Sequence, residues 1–378
     1  MCYYLCVIFL HFLMKKQKFA NLILGVVFVV VLMMSGVFSS SDSDDVKDEF
    51  NAEIVRVISS TETNQTLEVK LQEGPMKDQV KVIENDELYT ENKRIFKEGD
   101  EVVVVHLPEQ EAFYISEYQR FNQLLYLFIL FIVVSLLITG TQGVGALIGM
   151  GLSFLVIFKL VLPLILAGNS PVLVAILGAA LIIPLTFYPS HGISKKTNIA
   201  LVSTLVTLVI AGLLATFFAD YSHLTGLASE ELIYLKIETF KDIDFQGLVL
   251  AGILISILGI LDDITISQAS IVQQLKLAKK NIQFPELFSR AMAVGRDHIA
   301  SLVNTLILVY AGASLPLLLL FMDHENNFKS VMNLEFIAQD VVSTLIGSIA
   351  LILAVPITTL LAAFTSTKGV KVEEHHFH

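Results

Sequence analysis

The chain has very little cysteine and no tryptophan. Its two cysteines, Cys2 and Cys6, both lie within the first six residues. They cannot staple a fold, and no zinc site is suggested. Without tryptophan, anchoring at a membrane surface falls to Tyr, Phe and Lys. Charge is scarce too: 16% of the residues are charged and 54% are hydrophobic, whereas a soluble domain carries about 25% charged residues. There is no Walker A loop, no GxSxG elbow, no HExxH and no GxGxxG after a strand. Direct use of ATP and the commoner hydrolytic and dinucleotide chemistries are therefore not indicated. Neither an enzymatic activity, a cofactor nor a metal site is expected. A third idea, an intramembrane hydrolase, lacks a nucleophile with a neighbouring base.

What the chain does have is long apolar runs. Mean hydropathy is +0.70, and stretches of 18 or more apolar residues recur, as in transmembrane helices. The expected fold is a mostly α membrane protein. Eight spans are predicted, at about 20–38, 121–139, 143–163, 170–188, 198–218, 247–267, 299–321 and 336–362. Residues 1–40 read as a signal peptide or first anchor helix, with the true start expected at Met14. Cleavage there would leave seven spans.

Between the first two spans lies a polar segment, 47–118. It alternates in the manner of strands at 53–58, 66–71, 79–84 and 101–106, with turn signals at Gly74-Pro75 and Gly99-Asp100. A small β domain is predicted, either a barrel, for which an OB-like one is the guess, or a sandwich. The net charge of −11 belongs to this part: residues 42–118 hold twenty acids against eight bases. Such acidity repels nucleic acid, which is not an expected partner.

Lys and Arg set the orientation. With the N-terminus inside, twelve fall on cytoplasmic segments, and only Lys236, Lys241 and Lys329 fall on short outer loops. By the positive-inside rule the β domain is extracytoplasmic and the tail 366–378 is cytoplasmic. The tail sequence EEHHFH reads as a solvated end.

Small residues recur at helical spacing in two spans. Gly145, Gly149 and Ser153 share one face. Gly252, Ser256, Gly259, Asp263 and Ser267 share another. Such faces let helices approach closely. The second stripe predicts that Asp263 points into the bundle and that Asp262, about 100° away, reaches headgroups or a loop.

Several strings resemble one family of multispan membrane proteins, the YibE/F-like family. They are SHGIS (190–194), TGLASEE (225–231), GILDDITISQAS (259–270), GRDHIASLVNTLILVYAGASLPLLLLF (295–321) and GSIALILAVPITT (347–359). The resemblance runs from about 120 to 365. It implies a bundle of membrane helices in a bacterial cell membrane and leaves the activity open.

The predicted topology brings three motifs to the cytoplasmic side: His191; Asp262 and Asp263 at the end of one span; and Arg296, Asp297 and His298 at the start of another. Asp297, Ser301 and Asn304 share a helical face. His191, Asp263, Asp297 and Asn304 could exchange protons or hold a cation, since His and Asp are the usual relay groups in transporters. The plainer alternative is that Arg296 pairs with Asp262 or Asp263 and ties two helix ends together. Asp297 could equally be a capping residue.

Lys159, near an outer end, is expected to snorkel or to meet a substrate. Glu230 and Glu231 begin a short amphipathic stretch. Asp340 heads a polar face with Thr344 and Gly347. Prolines 163, 184, 316 and 356 interrupt apolar runs, and AGASLP (311–316) is the best candidate for a broken helix. Two functions follow as expectations. One is a permease or exporter of a small solute or ion, possibly proton-coupled, seated in the lipid bilayer. The other is a scaffold whose extracytoplasmic β domain binds a protein partner.

Overall fold

A computed structural model describes residues 48–367, apart from 62–63, 87–94, 108–111, 239–242, 316–318 and 320–327. The expected first span at 20–38, the segment 1–40 around it and the tail beyond 367 lie outside the described residues. The chain forms two units, one ending at Ile138 and the other taking up from Thr139.

The first unit holds five antiparallel strands: β1 (Asp48–Ser60), β2 (Asn64–Leu71), β3 (Val80–Asp86), β4 (Glu101–Leu107) and β5 (Ala112–Tyr118). They pair in the order β3-β2-β1-β4-β5. Alternation decides which face is covered. Leu67, Val69 and Leu71 of β2 are buried, and so are Phe50, Ala52 and Ile54 of β1 and Val102 and Val104 of β4. The partners between them look outward, as period-2 geometry demands. The sheet curls into a half-barrel that brings its two edge strands near each other: the Lys81 ammonium of β3 lies 5.1 Å from the Phe113 ring of β5.

One buried amide fastens a loop to this core. The Gln65 side chain accepts from the Phe96 N–H at 2.8 Å and donates to the Phe96 carbonyl at 3.2 Å. The expected turns are present. Gly74 and Gly99 both have positive φ, and the Gly99 N–H donates to the Ile54 carbonyl at 2.8 Å. Strand β5 was not among the four predicted runs, although AFYISEY is rich in aromatic and β-branched residues.

Helix α1 (Phe121–Thr139) belongs to this same unit, not to the bundle that follows. The second unit opens with α2 (Thr141–Val156), which passes through a π-helical turn (Ile157–Val161) into α3 (Leu162–Leu166). Pro163 accounts for the wide turn: it has no N–H to offer the Lys159 carbonyl, and its ring crowds that position. Then come α4 (Pro171–His191), α5 (Lys195–Tyr221), the short α6 (Glu230–Glu238), α7 (Phe245–Ala278), α8 (Phe284–Ala313), the short α9 (Phe328–Met332) and α10 (Glu335–Thr367).

Among the described residues, seven helical stretches are long and apolar enough to span a bilayer, α1 among them and α2–α3 counted as one from Gln142 to Leu166. They match seven of the eight expected spans. Two run further than hydropathy suggested. Helix α7 continues to Ala278, and α8 starts at Phe284 rather than near 299. The reason is a second apolar cluster at that end: Val272, Ile282, Leu287, Ala291, Ala362 and Ala363 bury one another, so the helices go on after the bilayer-length apolar run has stopped.

Proline does not break α4 or α10. Pro184, Pro189 and Pro356 lie inside continuous helices. AGASLP does coincide with an end: α8 stops at Ala313, and the Ser314 N–H caps back onto the Tyr310 carbonyl.

The Gly145 and Gly149 face packs as its spacing predicted. A Cβ on Gly149 would lie 3.0 Å from the Thr186 Cα, and one on Gly145 would strike the Pro189 carbonyl. Helices α2 and α4 thus meet backbone to backbone. Gly149→Leu is expected to cost about 1–3 kcal/mol by overpacking, seen as a lower midpoint of thermal unfolding. Gly312→Ala, where a Cβ meets nothing within 4 Å, should leave the midpoint unchanged or slightly raised. Equal midpoints for the two variants would contradict the α2–α4 contact.

Candidate functional site

The interior of the bundle carries an unusual number of hydroxyls. Thr197, Ser203, Thr204 and Thr207 of α5, Thr265 of α7, and Ser348, Thr358 and Thr359 of α10 are all buried. Most bond to the carbonyl one turn back, as Thr204 does to Ala200 at 3.0 Å and Thr207 to Ser203 at 2.8 Å. Two links cross between helices. Thr204 and Thr265 share a hydrogen bond of 2.8 Å. Gln268 of α7, 1% exposed, donates from Nε2 to the Thr359 hydroxyl at 2.7 Å and to the Ala291 carbonyl at 3.1 Å. That one amide ties α7 to α8 and to α10. Its Oε1 has no hydrogen-bond partner and lies against Gly295, where a Cβ would fall 3.2 Å from it.

The two aspartates sit within α7, one turn before this network. Their roles are the reverse of what the stripe predicted. Asp263 is exposed, and Asp262 is the partly buried one. The physical reason is the way α7 packs. Its buried face runs through Leu254, Ile257, Leu258, Leu261, Ile264 and Thr265, which are bulky residues meeting α4, α5 and α10. The small-residue face is left outside, and Cβ atoms on Gly252 or Gly259 would meet nothing within 4 Å.

Asp262 Oδ2 lies 3.3 Å from the Thr186 hydroxyl of α4, and that hydroxyl also lies 3.0 Å from the Ile183 carbonyl. A hydroxyl has one hydrogen. Both contacts are complete only when the carboxyl supplies the second hydrogen. Among the described residues, Asp262 Oδ1 is buried without a partner. His191, at the end of α4, lies within electrostatic reach of Asp263. The site is therefore a carboxyl held by one hydroxyl, with a second carboxyl and an imidazole beside it. Chemically it can take up or release a proton, or hold a small cation.

The structure does not add the other expected members. Among the described residues, no ion pair or hydrogen bond joins Arg296, Asp297, His298 or Asn304 to Asp262, Asp263 or His191. The alternative in which Arg296 clamps the aspartates is therefore not what forms. Nor does Asp297 cap a helix, since α8 begins thirteen residues earlier. Arg296, Asp297 and Asn304 lie on exposed parts of α8, and His298 is partly buried.

Lys159 is exposed in the π-helical turn. Glu230 opens α6. The Glu231 carboxyl is held below the usual range by its own backbone N–H and then by the Ser229 hydroxyl, as befits an acid in a first turn. Asp340 accepts from the Ser314 hydroxyl at 3.0 Å and so fastens α10 to the end of α8.

Three residues that matter structurally were not singled out from the sequence. Thr186 and Gln268 are polar residues inside apolar runs, which was the available signal. Glu335 takes the Thr225 hydroxyl at 2.8 Å and the Gly226 N–H at 3.1 Å, so TGLASEE is clamped onto the start of α10. Gln268→Leu is expected to cost about 1–3 kcal/mol, because it removes the donor to a buried hydroxyl. A thermal midpoint equal to that of the parent would show that the amide carries no such bond.

No curated protein and no solved structure matches the chain. One family model does, over residues 127–368, which takes in the bundle, the aspartate pair and the Gln268 junction. The chain belongs to the YibE/F-like protein family.

Proposed function

We propose that this membrane protein is a permease or exporter of a small solute or ion, and that Asp262, with Asp263 and His191 beside it, is its proton- or cation-binding centre. The observation that carries the reading is Asp262 itself: a carboxyl between two membrane helices, with one hydroxyl for a partner and one oxygen without any. An ionisable group in such a place is costly unless it is used. This centre replaces the Asp263–Asp297 pair expected from spacing, since Asp297 lies on an exposed face. The reading includes a bacterial cytoplasmic membrane, a cytoplasmic position for His191 and the aspartates, and no enzymatic step.

The test is proton flux in proteoliposomes with a pH-sensitive dye inside. Gradients of sodium, potassium, magnesium and common small solutes are imposed in turn. At least one is expected to shift the internal pH, and Asp262→Asn should lower that rate tenfold or more while the protein stays folded. Equal rates in parent and variant, or no response to any gradient, would defeat the proposal.

The second reading, a scaffold, is favoured by a separate feature of the β unit. Two polar clefts of about 520 and 560 Å³ flank the link from β5 to α1, sharing Glu101, Tyr118, Gln119, Arg120 and Asn122. In this reading the half-barrel is an OB-like barrel that takes a partner at these clefts. Photo-crosslinking from a probe at Asn122 in living cells should capture one discrete protein. Capture of none counts against the scaffold.

A further inference from the structure

The polar faces of α7 and α8 look out of the bundle. Gly252, Ser256, Gly259 and Asp263 recur along α7 at steps of four, three and four, and all are exposed. On α8, Arg296 and Asp297 are exposed as well. Both helices are long and apolar enough to cross a bilayer. In a membrane, such a face sets the Asp263 carboxylate at the lipid-facing surface, with Arg296 just before the apolar run of α8 begins, and charged residues in spans rarely face lipid. The contrast with α2 is instructive. There the same kind of spacing, Gly145 and Gly149, lies against the backbone of α4. On α7, Cβ atoms on Gly252 and Gly259 would meet nothing within 4 Å among the described residues.

The charges themselves indicate what covers the face. Gln268 bonds the Ala291 carbonyl and lies against Gly295, so α7 and α8 run antiparallel with these residues opposite one another. Asp263 is five residues from Gln268, and Arg296 is next to Gly295. At 1.5 Å per residue, about 6 Å separates the two charges in height, within the reach of an arginine side chain. Neither forms an ion pair among the described residues. One chain thus presents on one helix an exposed acid whose electrostatic neighbour is His191, and on the next an exposed base beside Asp297, at nearly the same depth. That pattern is self-complementary under a two-fold axis, where each residue of an isologous interface meets its counterpart twice.

We propose that a second copy of this chain covers the face. The α7 stripe packs against its own image through Gly252, Ser256 and Gly259, and Asp263 of each copy pairs with Arg296 of the other. The inference goes beyond the transport reading and does not depend on it. Its readout is oligomeric state, which can fail while proton flux persists.

The test uses the full chain with Cys2→Ser and Cys6→Ser. In native membranes under mild oxidation, Ser256→Cys is expected to give a disulfide-linked dimer. Leu213→Cys, on an exposed part of α5, should not. Separately, Asp263→Arg and Arg296→Asp, each alone, should halve the mass of the particle in lipid nanodiscs, and the two together should restore it. Because the cross-linking leaves both charges intact, misfolding of a charge variant cannot decide the matter. A particle of one-chain mass together with no dimer from Ser256→Cys overturns the proposal. So does cross-linking of Ser256→Cys to a cysteine placed in residues 20–38 of the same chain, which would make that segment the cover.

Discussion

Inside a bilayer a polar group has no water to fall back on, and the second unit is arranged around that constraint. Gln268 shows it best. A glutamine among apolar residues is tolerated there because one amide serves the Thr359 hydroxyl and the Ala291 carbonyl together. In doing so it fixes α7 against two neighbours at one depth. Most hydroxyls around it obey the same rule locally, bonding back into their own helix, which satisfies the group without requiring a partner elsewhere. Asp262 is the ionisable group among those left incompletely bonded in this unit. Among the described residues it has one hydroxyl partner and one oxygen without any, and so it is the group with chemistry left to do.

The position of Asp262 follows from contacts two helices away. Gly145 and Gly149 bring α2 against the backbone of α4 at Thr186 and Pro189. That approach seats Thr186, whose hydroxyl then meets the carboxyl on α7. The absence of side chains on one helix thus sets the geometry of a polar contact on another. Close packing carries such dependence because there is little free volume to absorb a displaced backbone.

Much of this was legible beforehand. Seven of the eight expected spans, the existence of a small β domain with its turns at Gly74 and Gly99, and the Gly145–Gly149 contact all follow from periodicity and composition. The fifth strand did not emerge, because a run of mixed aromatic and polar residues beside a span reads as part of the approach to the membrane. The extents of α7 and α8 were misjudged because hydropathy measures where lipid ends, not where a helix ends. Arg296, Asp297 and His298 consequently moved from a helix start to a helix interior.

The pattern of residues on its own located seven apolar helices and the acidic β segment, and it marked Asp262 and Asp263 as worth asking about. Those conclusions rest on local free energies, chiefly burial of apolar area and backbone propensity, which each segment carries with it. Which aspartate turns inward could be decided only by the assembled bundle. Two stripes of small residues with similar spacing met opposite fates, one pressed against a neighbour and one left outside. A helix face is buried by what is opposite it, and that partner comes from a distant part of the chain.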